Sequence, residues 1–221
     1  MSRFGTRLRR PGRREALRRT TPISDSWGYD RGQPIDRYYI NSFLGEHRRD
    51  IRGDVLEVRE NLYVDRYGTD ISRSDVLDID PDNARATMTA DLAQPGSLPL
   101  EKFDCIVLTQ TLQYVSDVPV AVQNLRGALR PNGVLLVTVP GANRGDEDPR
   151  CPSLWSFTEA GCTQLFTTQF GDANVDVQAY GNVLTSMAFL TGLAREELKP
   201  EELDVHDVRF PVIVAVRAVR R

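Results

Sequence analysis

The sequence predicts an α/β protein, a three-layer sandwich with helices on both faces of a mostly parallel, seven-stranded sheet. Cys105–Leu108 is a short apolar run, as expected for a strand buried on both faces. Val118–Leu129 places apolar residues at helical spacing, and Val134–Val139 supplies another apolar strand. A strand, a helix and a strand in this order form a parallel crossover unit. The valine-rich segment Phe210–Val219 predicts a final strand.

Four elements are predicted before the crossover unit. Ile35–Leu44 has apolar and aromatic residues spaced as in a short amphipathic helix. Asp54–Val58 is the expected first strand, Asp70–Val76 the second, and Ala84–Ala90 a short edge strand. The elements therefore alternate in the way that builds an open parallel sheet, with ligands at the carboxyl ends of its strands.

The segments after residue 129 complete the sheet and its cover. Arg130–Gly133 should stop the helix in a turn, since proline cannot continue a helix and Asn-Gly tolerates a tight turn. Further predicted elements are a helix over Thr158–Phe166 capped by Thr158, a strand over Asn174–Tyr180, an apolar helix over Val183–Gly192 and a charged helical patch over Ala194–Leu203.

The charge is distributed unevenly along the 221 residues. The net charge is −3, yet the first 20 residues hold eight arginines and one acid. We expect an Arg-rich disordered tail over residues 1–22 and a single domain over residues 23–221. The acidic body argues against a main surface that grips nucleic acid, although a basic arm could contact nucleic acid or an anionic membrane.

Cysteine usage and hydropathy favour a cytoplasmic protein. Cys105, Cys151 and Cys162 have neither disulfide nor metal-ligand spacing. No apolar run is long enough to cross a membrane, and no signal-like segment is found. The acids between residues 75 and 82 lack the glycine and the closing glutamate of a calcium loop, so no metal site is predicted.

Two motifs carry a family resemblance. FDCIVLTQTLQYV at residues 103–115 and LRPNGVLLVTVPG at residues 129–141 resemble the second half of class I S-adenosylmethionine-dependent methyltransferases. The resemblance implies a Rossmann-like methyltransferase fold with an antiparallel last strand, S-adenosyl-L-methionine as cofactor and methyl transfer as activity.

The front half departs from that family at its cofactor turn. Glu57 matches the acid that ends the first strand, but VRENLYVDRYG follows, with no glycine before Gly68. The family has glycines there because a Cβ would block close approach of the backbone. Two interpretations stay open: Arg59, Glu60 and Asn61 form a different turn that admits the cofactor, or the pocket is closed.

The resemblance implies a set of cofactor contacts. A leading helix brings Arg37 and Tyr38 to the methionine end. An acid at the second strand takes the ribose hydroxyls, with Asp75 as the first choice, Asp78 as the second and Asp80 as the third. Each of these acids is equally compatible with a solvated turn. The complete set of expected cofactor residues is Arg37, Tyr38, Glu57, Arg59, Asn61, Asp75, Asp78, Asp91, Leu92, Thr109 and Gln110.

The acceptor side is less defined by the sequence. Trp155, Tyr180 and Asn182 are candidate substrate residues, and the weak candidates for a base are Asp146, Glu147, Asp148 and His206. The predicted function is methyl transfer to a small-molecule acceptor, at an oxygen of a sugar or secondary metabolite. The alternative is a non-catalytic, methyltransferase-like binding or scaffold protein. A homodimer is compatible with either hypothesis.

Overall fold

A seven-stranded sheet with the strand order β3-β2-β1-β4-β5-β7-β6 organises the chain. The computed structural model describes residues 19–145 and 151–221. The strands are β1 Gly53–Val58, β2 Ile71–Asp78, β3 Met88–Thr89, β4 Phe103–Thr109, β5 Leu129–Pro140, β6 Val175–Tyr180 and β7 Ile213–Val219. The first five strands pair in parallel, and β7 pairs antiparallel with both β5 and β6. The predicted fold class, including the antiparallel last strand, is confirmed.

Six helices occur in the described residues. They are α1 Ile35–Glu46, α2 Leu62–Tyr67, α3 Val118–Ala128, α4 Glu159–Phe170, α5 Val183–Thr191 and α6 Pro200–Leu203. Their starts follow ordinary capping rules: the side chains of Asp117, Thr158 and Asn182 accept backbone N–H groups at the starts of α3, α4 and α5. None of these helices is long and apolar enough to cross a membrane.

Helices cover both faces of the sheet. Helices α3 and α4 pack on one face, where Ile106 and Leu108 of β4 join their apolar residues in a buried cluster. Helices α1, α2, α5 and α6 contribute to a second cluster on the opposite face, which contains Cys105 and Val107. Alternation along β1 places Glu57 on this second face, beside Val55. Helix α1 and the Glu57 end of β1 therefore lie on the same face of the sheet.

The predicted turn at Arg130–Gly133 was wrong in one respect, because these residues lie within β5 as a bulge. Leu129 pairs with Phe103, whereas Val134 pairs with Cys105, so extra residues of β5 oppose one of β4. Asn132 has a positive φ of 66°, the conformation that the Asn-Gly pair was expected to tolerate.

Three further elements differ from their predicted form. Helix α2 was not predicted, because its six residues are too few to show a helical pattern. The edge strand β3 has only two residues, since a turn at Asn83–Ala86 precedes it. The charged segment over Ala194–Leu203 is not one helix: a short 3₁₀ turn at Arg195–Glu197 is followed by α6, which begins at Pro200.

Candidate functional site

A cavity of about 110 Å³ opens where β4 and β5 end. The segment before α1, the first turn of α1 and α5 also contribute residues to its lining. The lining residues are Trp27, Tyr29, Asp36, Arg37, Gln110, Gln113, Tyr114, Pro140, Asn143 and Phe189. The cavity therefore lies at the edge of the sheet where parallel α/β folds bind their ligands.

Two glutamines at the end of β4 present unused polar atoms. Gln110 has a φ of 47° and its backbone N–H donates to the Thr138 carbonyl at 2.7 Å, which fixes the turn against β5. Its buried Nε2 has no hydrogen-bond partner among the described residues, and neither has the buried Oε1 of Gln113. Because unpaired buried polar atoms are costly, these two atoms indicate a place for a polar ligand.

Arg37 and Asp36 bring opposite charges to the cavity. The Arg37 guanidinium donates to the Tyr29 hydroxyl at 3.1 Å and to the Tyr63 hydroxyl at 3.2 Å. Burial raises the pKa of the Asp36 carboxyl. Burial alone would lower the pKa of Arg37, but the Asp36 charge and both tyrosines outweigh it, so that pKa lies above its ordinary value. Arg37 stays cationic.

Aromatic rings form another part of the cavity lining. Trp27 packs against Phe189 of α5, with ring centroids 5.1 Å apart. The Arg144 guanidinium lies 4.0 Å from the Trp27 ring and donates to the Ser24 carbonyl at 3.2 Å. The loop after β5 is thus fastened to the segment before α1, and the two together cover the cavity.

The buried side chain of Glu57 holds the turn after β1 in place. Its side chain is 2% exposed and accepts the backbone N–H groups of Tyr63, at 3.0 Å, and Val64, at 2.8 Å. Burial raises the pKa of Glu57 to about 7, although these hydrogen bonds act in the other direction. The carboxyl group is used to hold the start of α2, so Glu57 shapes the turn from outside the cavity.

Arg59 has the backbone conformation that glycine adopts easily. Its φ is 69°, and its N–H donates to the Leu77 carbonyl at 2.9 Å. The Arg59 carbonyl accepts the Asn83 side chain at 2.9 Å, and the same amide donates to Asp78 at 2.6 Å. The turn after β1 is therefore well formed without glycine and is tied to the end of β2. On the exposed side of this turn, the Asn61 side-chain amide donates a hydrogen bond to the Asp65 carboxylate at 2.9 Å.

The acids of β2 lie in different surroundings. Asp75 is 2% exposed, well before the end of the strand, and its carboxylate pairs with Lys102 at 2.7 Å. Burial opposes its ionisation, but Lys102, Thr87 and Arg73 outweigh burial and hold the pKa of Asp75 below its ordinary value. Asp78 ends the strand at the carboxyl edge and is half-buried. Of the predicted ribose acids, Asp78 is the one beside the cofactor turn.

Asp91 and Leu92 follow β3, as the sequence predicts. The Asp91 carboxylate accepts the Ala93 N–H at 2.8 Å within its own turn. Leu92 is buried in the core beside α3, and its carbonyl accepts the Asn124 side chain at 2.9 Å. Thr109 is the last residue of β4, and its carbonyl accepts the Thr111 hydroxyl. None of these side chains lines the cavity.

Tyr38 points away from its neighbour Arg37. Its hydroxyl donates to Asp204 at 2.7 Å and its ring lies against the Arg195 side chain. The hydrogen bond to Asp204 and burial raise the pKa of Tyr38. Of the predicted Arg-Tyr pair, the structure brings only Arg37 to the cavity.

The predicted acceptor residues are used for packing and capping. Tyr180 is 2% exposed in the core, and Asn182 caps α5 while its amide donates to the Glu202 and Val205 carbonyls. Trp155 is 45% exposed, and its indole donates to the Val115 carbonyl at 2.8 Å. These three residues lie outside the cavity lining.

Of the predicted bases, His206 alone lies in the described residues, and it does not line the cavity. His206 accepts the Gly181 N–H at 3.1 Å through Nδ1, and burial lowers its pKa. Asp146, Glu147 and Asp148 lie outside the described residues. No group of three or more His, Cys, Asp or Glu side chains in residues 19–145 and 151–221 could hold a metal ion.

Several lining residues were missed by the sequence analysis: Trp27, Tyr29, Asp36, Gln113, Tyr114, Pro140, Asn143 and Phe189. The position of Asp36 beside Arg37 was the one available signal, since both belong to the first turn of the leading helix. The others come from segments whose patterns indicate loops or packing, and only the fold brings them to one place.

The comparisons with known proteins agree with this geometry. A family model described as a methyltransferase domain matches residues 52–173, more than half of the chain. The chain belongs to this methyltransferase family. Its cofactor is accordingly S-adenosylmethionine. No curated protein is similar enough in sequence to count as a relative.

Solved structures show the same fold at low sequence identity. An S-adenosylmethionine-dependent methyltransferase from Mesorhizobium loti is 16% identical over 84% of this chain and 98% of that chain, with a TM-score of 0.54. One from Archaeoglobus fulgidus is 13% identical over 83% and 94%, with a TM-score of 0.53. A possible histamine N-methyltransferase from Thermotoga maritima is 14% identical over 87% and 95%, with a TM-score of 0.52.

The methyltransferase cavity fits the polar groups of this cofactor. The unpartnered Gln110 Nε2 and Gln113 Oε1 offer a donor and an acceptor, and Arg37 offers a cation for a carboxylate. Asp78, at the end of β2, offers two acceptor oxygens on the same edge of the sheet. The residues that would hold the cofactor are therefore Arg37, Gln110 and Gln113 at its amino-acid end and Asp78 at its ribose.

Proposed function

We propose that this methyltransferase transfers a methyl group to an oxygen of a small molecule, a sugar or a secondary metabolite, in the cytoplasm. The observation that carries the proposal is the cavity at the ends of β4 and β5. It is small, about 110 Å³, and combines the rings of Trp27, Tyr29, Tyr114 and Phe189 with side-chain amides. Such a mixture of flat apolar walls and a few polar groups suits a compact acceptor.

When bound, S-adenosylmethionine supplies an electrophilic methyl group on a positively charged sulfur. The protein's contribution is mainly orientation, since in-line transfer depends on holding the acceptor oxygen close and aligned. The packed rings of Trp27 and Phe189, with Arg144 over the Trp27 ring, would keep water out of the cavity and restrict the acceptor. Gln110 and Gln113 would hold the amino-acid end of the donor beside the acceptor through their unused amide groups.

The acid–base character of the lining favours an acceptor that ionises easily. Among the described residues, Asp36 is the one carboxylate in the lining, and one of its oxygens accepts the Arg37 N–H at 2.8 Å. A phenol, with a pKa of about 10, needs less help from a base than an aliphatic alcohol. Hydroxylated aromatic metabolites are therefore the first acceptors to try, followed by sugars.

The cytoplasmic location is supported by the cysteines. Cys105 and Cys162 are buried free thiols and Cys151 is an exposed free thiol, as expected in a reducing compartment.

The proposal is tested with the purified full-length chain in two steps. Calorimetry with S-adenosylmethionine and S-adenosylhomocysteine first measures donor binding. Methyl-labelled donor is then incubated with separate pools of phenols, sugars, amines, peptides and transfer RNA. Label in the phenol or sugar pool supports the proposal. Label confined to another pool would refute the oxygen acceptor, and no donor binding at millimolar concentration would favour the non-catalytic scaffold.

A further inference from the structure

Two neighbouring residues present opposite charges to the same cavity. Asp36 and Arg37 both line it, and in the described part of the chain they are its only charged lining residues. Their side chains are 12% and 32% exposed, so both charges are largely withdrawn from bulk water. The methionine end of S-adenosylmethionine is itself a pair of opposite charges, an α-ammonium and an α-carboxylate, on one carbon atom.

Each of the two side chains has a hydrogen-bonding atom that it does not use within the described residues. Arg37 uses Nε on Tyr29 and Nη1 on Tyr63, and its Nη2 donates to no described residue. In Asp36, Oδ1 accepts the Arg37 N–H at 2.8 Å, whereas Oδ2 lies 3.9 Å from Arg37 Nε, beyond hydrogen-bond range. A free guanidinium N–H and a free carboxylate oxygen are thus held beside each other.

Gln113 adds a second acceptor to the cavity. It is 5% exposed, and its Oε1 has no hydrogen-bond partner in the described part of the chain. An ammonium group has three N–H donors and no acceptor, so it needs several oxygens around it. The Asp36 carboxylate and the Gln113 amide oxygen are the acceptors that this lining offers it.

We propose that Asp36 and Gln113 bind the α-ammonium group of the methyl donor, while Arg37 binds its α-carboxylate. This inference rests on the proposed function and names the residues that select a donor with an intact amino-acid end. It explains how the chain does without a glycine turn: α2 begins with its N–H groups used by Glu57, and the leading helix supplies the charges instead.

The structural role of Asp36 determines which substitution can be used to test the proposal. Its Oδ1 also accepts a backbone N–H in the first turn of α1, so removing the side chain would disturb that turn. The isosteric change D36N keeps an acceptor oxygen and removes the negative charge. Q113L removes the amide at similar volume. D172N, at an exposed acid outside the cavity, is the matched control for charge.

Two ligands separate the amino-acid end from the rest of the donor. S-adenosylhomocysteine carries both charged groups, whereas 5′-methylthioadenosine has the same adenosine and thioether sulfur but no amino-acid end. Binding of each ligand to the wild type, D36N, Q113L and D172N is measured by calorimetry, with thermal unfolding as the check on folding. This readout does not depend on catalysis or on the identity of the acceptor.

We expect D36N to weaken binding of S-adenosylhomocysteine at least about tenfold, because a hydrogen-bonded charge pair is lost. Q113L should weaken it about threefold or more. Binding of 5′-methylthioadenosine should stay within about twofold in both variants, and D172N should change neither ligand. Equal weakening of both ligands by D36N, or no weakening of either, would overturn the assignment. A wild type that binds neither ligand would instead refute donor binding itself.

Discussion

Glu57 of β1 and Val64 of α2 are joined by a 2.8 Å hydrogen bond from the Val64 backbone N–H to the buried carboxyl group. The Tyr63 N–H donates to the same carboxyl group. The short helix α2 therefore starts on a side chain of the sheet, and the turn before it, with Arg59 at a φ of 69°, is held between β1 and β2. In this chain the Glu57 side chain thus shapes the turn that glycines shape in the other methyltransferases.

Glu57 should make the stability of the protein depend on pH. Burial raises its folded-state pKa to about 7, above its ordinary value, so the fold binds the proton more tightly than the unfolded chain. The contribution is fully present below the unfolded pKa and is lost as pH rises through about 7. We expect the free energy of unfolding to fall between pH 5 and pH 8, by up to about 3 kcal/mol from this group.

Urea denaturation at pH 5, 6, 7 and 8 measures this slope for the wild type and for E57Q, which cannot ionise. The slope should be clearly smaller in E57Q. The control E201Q, at an exposed residue of α6, should keep the wild-type slope. An unchanged slope in E57Q would show that this carboxyl group does not titrate in that range.

Arg59 should be a position where glycine stabilises more than alanine does. A left-handed conformation costs a residue with a Cβ about 1 kcal/mol or more, and glycine avoids this cost. R59G should therefore unfold at a higher urea concentration than R59A, by about 1 kcal/mol. At Arg66, inside α2, the order should reverse, because glycine is about 1 kcal/mol less favourable than alanine in a helix. The same order at both positions would contradict this account of the turn.

The central strands could be predicted because strands buried on both faces consist of consecutive apolar residues. The apolar runs of β4 and β5 and the helical spacing of α3 need no knowledge of other segments. Helix α2 could not be predicted in this way, since its start depends on Glu57. The bulge in β5 could not be predicted from the local pattern either, because it depends on a distant residue. The Asn132 N–H donates to the Arg220 carbonyl, at the far end of the chain.

The candidate site was predicted in part. The sequence predicted its position in the fold better than it predicted which residues line it. Arg37 and Gln110 follow from their places on the leading helix and at the end of β4, and both line the cavity. Phe189 could not be found, because in an apolar helix such as α5 no pattern marks which residue faces a cavity and which faces the core. Tyr180 has a polar hydroxyl at a strand end, which suggests a site, yet its ring is buried in the core and its hydroxyl donates to the side chain of exposed Gln178.

The two tryptophans should report ligand binding differently. Trp27 lines the cavity, whereas Trp155 lies outside the lining, so only Trp27 should sense a ligand that enters. We expect S-adenosylhomocysteine to change the intrinsic fluorescence of the wild type and of W155F. The change should be lost in W27F, although calorimetry still detects binding. A change that persists in W27F and disappears in W155F would place the ligand elsewhere.

Asp75 and Asp78 should have separate roles despite lying on the same strand. The Asp75 carboxylate is buried and paired with Lys102, Arg73 and Thr87, which leaves it to stabilise the sheet. D75N should therefore lower the free energy of unfolding, by about 1–3 kcal/mol, because it weakens a buried hydrogen-bonded ion pair. Its affinity for S-adenosylhomocysteine, measured on the folded protein, should stay within about twofold.

D78N should show the opposite pattern, because Asp78 ends β2 at the carboxyl edge and its oxygens can accept from two ribose hydroxyls. We expect about a tenfold loss of affinity for S-adenosylhomocysteine, and for 5′-methylthioadenosine, which has the same ribose. The free energy of unfolding should fall by only about 1 kcal/mol, since asparagine can still accept the Asp80 N–H, at 3.0 Å, and loses only the hydrogen bond from Asn83. A loss of affinity in D75N with none in D78N would assign the ribose to Asp75, and the pairing with Lys102 would then have to open on binding.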